Sequence, residues 1–302
     1  MVGAGLAGAV YARVLAEHGL SVHVIDQRDH IAGNCYDYTD PTGIRVHKYG
    51  PHLFHTSNAR VVEWLSRFTE WVPYQHRVVA RLEGGRDVPL PVNRSTVNTI
   101  YGTDLASAEE VMAFLSTKVE RRPEIRTAED HLYAHIGPTL TNLFFRPYTR
   151  KMWGTDLQDM DMDAAVVRRL QIRMDDEDRY FPGDTFQALP LHGYTAMFER
   201  MFDHPDITVE LGQPFEPAML TNYDFTFSAM PIDAHYKYRF GELPYRSIRF
   251  HTNEVKRAAA SAHVTVNYTD EGRFTRETWW HNLPGHDAGG ESVLCTVEEP
   301  CD

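Results

Sequence analysis

The 302-residue chain carries 30 Lys and Arg against 42 Asp and Glu, a formal net charge of −12. That length supports a substantial core in two or three small domains, and the acidic balance argues against nucleic acid as a partner, because neutralising phosphates takes a basic face. Cys35, Cys295 and Cys301 are too few and too scattered for a disulfide scaffold or a zinc site. No apolar run approaches the roughly 20 residues that span a bilayer. Nor does a basic start lead into an apolar signal region, so a cytoplasmic protein without a membrane partner is expected.

Gly3, Gly5 and Gly8 form G-x-G-x-x-G, and Leu6 to His18 has helix-forming composition. SVHVID follows as a β-branched strand ending at Asp26, where an acidic residue would receive a ribose hydroxyl while helix amides meet a pyrophosphate. Only Met1 and Val2 precede the glycines, too few for a central strand. RDHIAGN and HKYGPHLFHT come next. His47, His52 and His55 read as packed or ligand-facing imidazoles around a Gly-Pro turn rather than metal ligands, since no fixed-face spacing supports ligation.

Asn58 to Phe68 has the pattern of an amphipathic helix with Val61, Val62, Trp64, Leu65 and Phe68 inward. Tyr74 to Val92 alternates about Gly84-Gly85, which predicts a hairpin. Ser107 and Glu110 fit a capping box that opens a helix through Val119, and helices are expected to about Trp153, with Pro147 marking a kink or break. Within FFRPYTRKMWG, Phe144 and Tyr148 stand four apart and share a helix face as an aromatic wall, with Trp153 near the helix end. Arg173 closes a short apolar segment, where a guanidinium can fork onto a phosphate. Wall and fork together suit a nucleotide diphosphate, although core aromatics and a solvated arginine give the same local pattern. Tyr194 to Phe202 reads as a helix, DHPD as a turn, and ITVEL and YDFTFSAM as strands.

The segments GAGLAG, HIAGN, HKYGPHLFHT, PYTRKMWG, RYF, QALPLHGYTAMFERM, PID and FGELPYRSIRF run from residue 3 to about 250 and resemble the UDP-galactopyranose mutase family. Members of that family are flavoenzymes that interconvert pyranose and furanose forms of a nucleotide sugar. The resemblance implies an α/β fold with a discontinuous Rossmann-like dinucleotide-binding domain (1–70 and 190–230) and a helical domain (95–155). It also implies a twisted antiparallel sheet domain with the substrate cleft (71–94, 156–189 and 231–302). On matching positions, it implies that Phe144 and Tyr148 wall the nucleobase and that Trp153 and Tyr180 belong to the sugar-nucleotide cleft. Arg173 and Arg246 would grip the diphosphate and serve catalysis. Gly3, Gly5, Gly8, Asp26, Asn34, Gly50 and His52 would hold FAD if FAD binds. The implied partner is a nucleotide-diphosphate sugar, UDP- or GDP-galactose-like, and a homodimer is allowed. In the family the flavin must be reduced, yet no net redox occurs.

The chain also departs from the family pattern. Its opening strand is reduced to Met1-Val2, and it stops at EEPCD, where the family continues into a Gly-Arg-Gly segment and a Tyr. Ala32 and Met230 stand at usual glycines, where added bulk would crowd a cofactor. Phe186, at a substrate-binding position, replaces a Tyr that bonds the diphosphate, and Trp279, Trp280 and His281 replace a glutamate, an aromatic and a lysine. These departures predict a mutase without tightly bound FAD. A divalent metal, Mg or Mn, held by oxygens from Asp175, Asp176, Glu177, Asp178 and Asp184 would be the companion, set against a solvated acidic loop. Two alternatives are an ordinary FAD-dependent member in shortened form and a non-catalytic nucleotide-sugar binding protein. An amine oxidase shares GAGLAG but does not explain PYTRKMWG or FGELPYRSIRF.

Overall fold

The structure is a computed structural model, described here for residues 1–161 and 172–302. Leu170 and Gln171, which open the apolar segment ahead of Arg173, lie outside the described residues. The chain forms two compact units, one of Met1–Tyr74, Asp184–Tyr245 and Pro284–Gly289, the other of Gln75–Gly183, Arg246–Leu283 and Gly290–Asp302.

The first unit is built on a parallel layer. Strand Val22–Asp26 pairs in parallel with Ile207–Leu211, Val22 opposite Ile207. Met1 and Val2 are the correction to the sequence reading. Val2 bridges Ile25 on one side and Ser228 on the other, both in parallel. Gly3 N donates to Ile25 O and Val2 N to Phe227 O, both at 2.8 Å, while Ile25 N and Ala229 N donate to Met1 O and Val2 O at 2.9 Å. Two residues therefore fill a central rail, because neighbours on both sides satisfy their backbone groups. YDFTFSAM, expected as a strand, contributes only that bridge at Ser228.

Helix Leu6–Glu17 follows the glycine turn and buries the small face of Gly8, Ala9, Ala12 and Ala16. That narrow face lets helix Tyr194–Phe202 pack close, its own buried Tyr194, Met197, Phe198, Met201 and Phe202 recurring at helical spacing. Phe54–Thr56, Phe186–Pro190 and Trp71–Pro73 make a small antiparallel sheet with Phe186–Pro190 in the middle. Helix Ala59–Leu65 is shorter than predicted, and Val61 is 40% exposed rather than inward.

The second unit carries a six-stranded sheet in the order Ser247–Lys256, Ser292–Cys301, Arg276–Trp279, Thr265–Tyr268, Val78–Arg81, Asp87–Leu90. The hairpin predicted about Gly84-Gly85 is its edge, with Val78 opposite Leu90. Thr265–Tyr268 and Val78–Arg81 run parallel. The sheet is thus mixed rather than antiparallel throughout, as the long connection between those two strands permits. The helices gather on a core that includes Val97, Val111, Leu115, Leu132, Leu140 and Leu157.

Ser107 caps helix Ala108–Ser116 through Glu110 N, and Glu110 reaches back to Ala106 N, so the predicted cap is in place while the helix ends before Val119. Pro147 sits in the first turn of helix Arg146–Trp153, where its missing N–H costs nothing. The break lies upstream, at Gly137 with φ 81° and ψ 163°, followed by a π turn over Thr141–Phe145. Among the described residues, no helix is long and apolar enough to cross a membrane.

Candidate functional site

In the first unit a cavity of about 770 Å³ opens at the glycine turn, lined among others by Gly3, Gly5, Asp26, Gly33, Asn34 and Met230. The turn is shaped by close backbone approach. A Cβ on Gly8 would stand 1.9 Å from Gly3 O, and one on Gly33 would stand 2.9 Å from Gly5 Cα. Gly5 caps the following helix without a side-chain hydrogen bond, so the first-turn amides face the turn unmasked. Asp26 sits at the strand end as predicted. Its Oδ2 accepts from Ala4 N at 2.8 Å and its Oδ1 from Arg28 N at 2.9 Å, which ties the turn to the strand and still leaves acceptor lone pairs. Asn34 Oδ1 accepts from Arg28 Nη2 at 3.0 Å.

These contacts revise the expected defects. Ala32 is 1% exposed and takes a left-handed φ of 68°, at a backbone cost of about 1–2 kcal/mol. Its methyl group is packed away, and Gly33 and Asn34 form that part of the wall. Met230 does line the cavity, so bulk is added there. Val2 is hydrogen-bonded on both sides, so neighbouring backbone tethers the turn despite the short start. The cavity, the amides and the acid fit the pyrophosphate and ribose of a dinucleotide.

Gly50, with φ 86°, and His52 form a second part of this unit. His52 Nδ1 lies 3.0 Å from Gly50 O, and His52 N donates to His47 Nδ1 at 3.0 Å. His47 is 1% exposed, with the His286 ring 5.1 Å away. Burial, then the neighbouring imidazoles and Arg45, hold His47 well below the ordinary 6.5. Burial likewise brings His286 to about 4. The unfolded chain therefore takes up protons that the folded chain refuses. Stability should be full above pH 6.5 and fall as pH drops through about 4. Urea midpoints across that window test this, and His286→Gln should flatten the decline; a midpoint independent of pH would contradict it.

In the second unit the predicted wall is divided. Phe144 is 5% exposed and belongs to the helical core, so it backs the helix rather than offering a ring face. Tyr148, one turn on, is partly buried, and its hydroxyl is pushed up by burial, with Arg276, Glu298 and Tyr180 in electrostatic reach. Tyr180 packs its ring 5.8 Å from His76, whose pKa is lowered to about 3 by burial and then by Arg276. Arg173 donates from Nη1 to Glu177 O at 3.1 Å and from Nη2 to Tyr180 O at 3.5 Å. It thereby shapes the loop that carries Tyr180. Trp153 is 51% exposed at the helix end. Its neighbour Gly154, with φ 69°, lets Arg246 approach so closely that a Cβ would stand 2.1 Å from Nη1. Arg246 Nε lies 3.1 Å from Asp302 Oδ1. Phe186 belongs to the first unit, where it packs edge-on to Phe54 and Trp71.

Arg276 was absent from the sequence expectations. It donates Nε to Glu298 Oε1 at 2.9 Å and Nη2 to Oε2 at 2.7 Å, directly across the strand pair. The usable signal was an arginine and a glutamate inside two otherwise strand-like segments, RETW and TVEE.

The acidic run does not converge as a metal site. Asp176 pairs with Arg94, Glu177 with Arg179, Asp178 with Arg77, and Asp184 with His55 and Ser57. Separate partners hold these carboxylates apart. Among the described residues, no three or more His, Cys, Asp or Glu side chains are grouped to hold a metal ion.

Residues 143–302 match the protein family described as UDP-galactopyranose mutase, and residues 1–68 match the NAD(P)-binding Rossmann-like domain. The chain is 40% identical over 252 residues to a "Probable UDP-galactopyranose mutase" of Klebsiella pneumoniae, covering 83% of this chain and 64% of the relative. It is 36% identical over 311 residues to the dTDP-fucopyranose mutase of Escherichia coli, covering 100% and 81%. The crystal structure of a reduced UDP-galactopyranose mutase shares the fold at a TM-score of 0.74 and 17% identity, with 100% of this chain and 74% of that one covered.

Proposed function

Because this chain belongs to the UDP-galactopyranose mutase family, we propose that it interconverts the pyranose and furanose forms of a nucleotide-diphosphate sugar, with FAD in the glycine-turn cavity. One observation carries the reading: a cavity of about 770 Å³ lined by Gly3, Gly5, Asp26 and Asn34 opens at the glycine turn, whose Val2 is hydrogen-bonded on both sides. Reduced flavin supplies, when bound, a nucleophile for the anomeric carbon without net redox.

The chain's own groups do the rest. Gly3 and Gly5, with Gly8 packed against the Gly3 backbone, would bring the turn close to the pyrophosphate, and Asp26 and Asn34 would address the ribose side. Gly50 and His52 would stand beside the cofactor, with the His52 backbone held by His47 Nδ1. Tyr148, Trp153 and Tyr180 receive the nucleotide, with Phe144 bracing the helix behind them. Arg246 and Arg173 neutralise the diphosphate as it departs, which lowers the barrier because charge builds on its oxygens.

Turnover of UDP- and dTDP-linked hexopyranoses, assayed with FAD and a reductant and read as furanose product by chromatography, tests the activity. Binding without conversion of either class would leave a nucleotide-sugar binding protein. Arg246→Ala should lower kcat/KM by about tenfold or more, since a charge-assisted contact contributes about 1.5–3 kcal/mol. Arg246→Lys should recover only part, because an ammonium cannot fork. Wild-type kcat/KM in Arg246→Ala would remove this arginine from the site.

A further inference from the structure

We propose that Tyr238 and Tyr245 form an aromatic rim of the dinucleotide cavity and stack on a planar ring of the bound cofactor. The inference rests on the reading of that cavity as the FAD site. Both tyrosines line the cavity, yet they are 50% and 80% exposed, so large rings stand at its edge without the burial that would repay their hydration. An open cavity rimmed by unburied aromatic faces suits a flat, π-rich ligand.

The backbone that presents Tyr238 is strained. Lys237 and Tyr238 are consecutive non-glycine residues with left-handed φ of 53° and 54°. Such a pair persists only where its surroundings over-determine it, and outliers of this kind gather at ligand clamps. Here Asp233 is the template. Its Oδ1 accepts from Ala234 N at 2.8 Å and its Oδ2 from Leu243 N at 3.0 Å, while its carbonyl accepts from Tyr238 N at 2.8 Å. Lys237 N donates to Ala234 O at 2.9 Å, and Gly241 N returns to Tyr238 O at 2.9 Å. One carboxylate thus closes both ends of the turn that sets Tyr238 and leads into Tyr245.

The test is titration of FAD, with flavin fluorescence quenching as readout, against the full chain and its Tyr238→Ala, Tyr245→Ala and Tyr238→Phe variants. Each alanine should weaken binding by about tenfold, and the phenylalanine should keep it, since the ring rather than the hydroxyl stacks. Asp233→Ala, which leaves both rings but frees the turn, should weaken FAD binding as well. Titration with FMN and displacement of bound FAD by ADP locate the ring: a loss shared by ADP assigns adenine, and one shared by FMN assigns the flavin ring. Unchanged FAD affinity in both alanine variants overturns the rim while leaving the cofactor reading intact. No FAD binding by the unaltered chain overturns that reading and the rim together.

Discussion

Gly8→Ala is expected to weaken FAD binding by roughly 5- to 150-fold, the span that overpacking of about 1–3 kcal/mol produces. The new Cβ would stand 1.9 Å from the carbonyl oxygen of Gly3. That atom is backbone, so it can yield only if the turn opens, and opening the turn moves the amides that meet the pyrophosphate. Gly183→Ala is the matched control, because a Cβ there meets nothing within 4 Å. Equal FAD affinity in Gly8→Ala and Gly183→Ala would falsify the glycine turn as the cradle.

Glu298→Gln should destabilise the second unit by about 1.5–3 kcal/mol, read as a lower urea midpoint, because it takes the countercharge from Arg276, whose side chain is 28% exposed and so partly screened by water. The side chain of Glu298 is 1% exposed, and its two oxygens take Nε and Nη2 of Arg276 at 2.9 and 2.7 Å. Replacing both partners, Arg276→Met with Glu298→Leu, should restore most of the stability, since an apolar pair escapes the desolvation that the ion pair must overcome. A near-zero coupling in the double-mutant cycle would show instead that the two charges are solvated. Tyr148 and Tyr180 lie within electrostatic reach of Arg276, so Glu298→Gln should also lower nucleotide affinity more than its stability loss alone explains.

The order of strand, glycine turn, helix and acid was legible at the N-terminus because each is a local property. Three glycines, a run of small helix formers and an aspartate closing a β-branched strand need no distant partner to be recognised. The same holds for the Gly84-Gly85 hairpin and for the Ser107 cap, where turn geometry and an i to i+3 hydrogen bond are written within a few residues. Family membership was legible too, since it rests on exact residue strings rather than on packing.

What only the tertiary structure decided are the relations across long separations. Met1-Val2 looked too short to be a strand because strand length is judged along the chain, whereas Val2 is held by Ile25 and Ser228. Phe144 and Tyr148 share a helix face by spacing, but the core takes Phe144 into the same buried cluster as Leu140 and Leu157. The acidic run from Asp175 to Asp178 looked like one cluster, and its charges disperse because Arg94, Arg77 and Arg179 claim them separately. Arg276 and Glu298, 22 residues apart, meet only through strand register. Local sequence specifies which groups a segment offers; burial and backbone pairing, which depend on the whole chain, decide which of them remain available for chemistry.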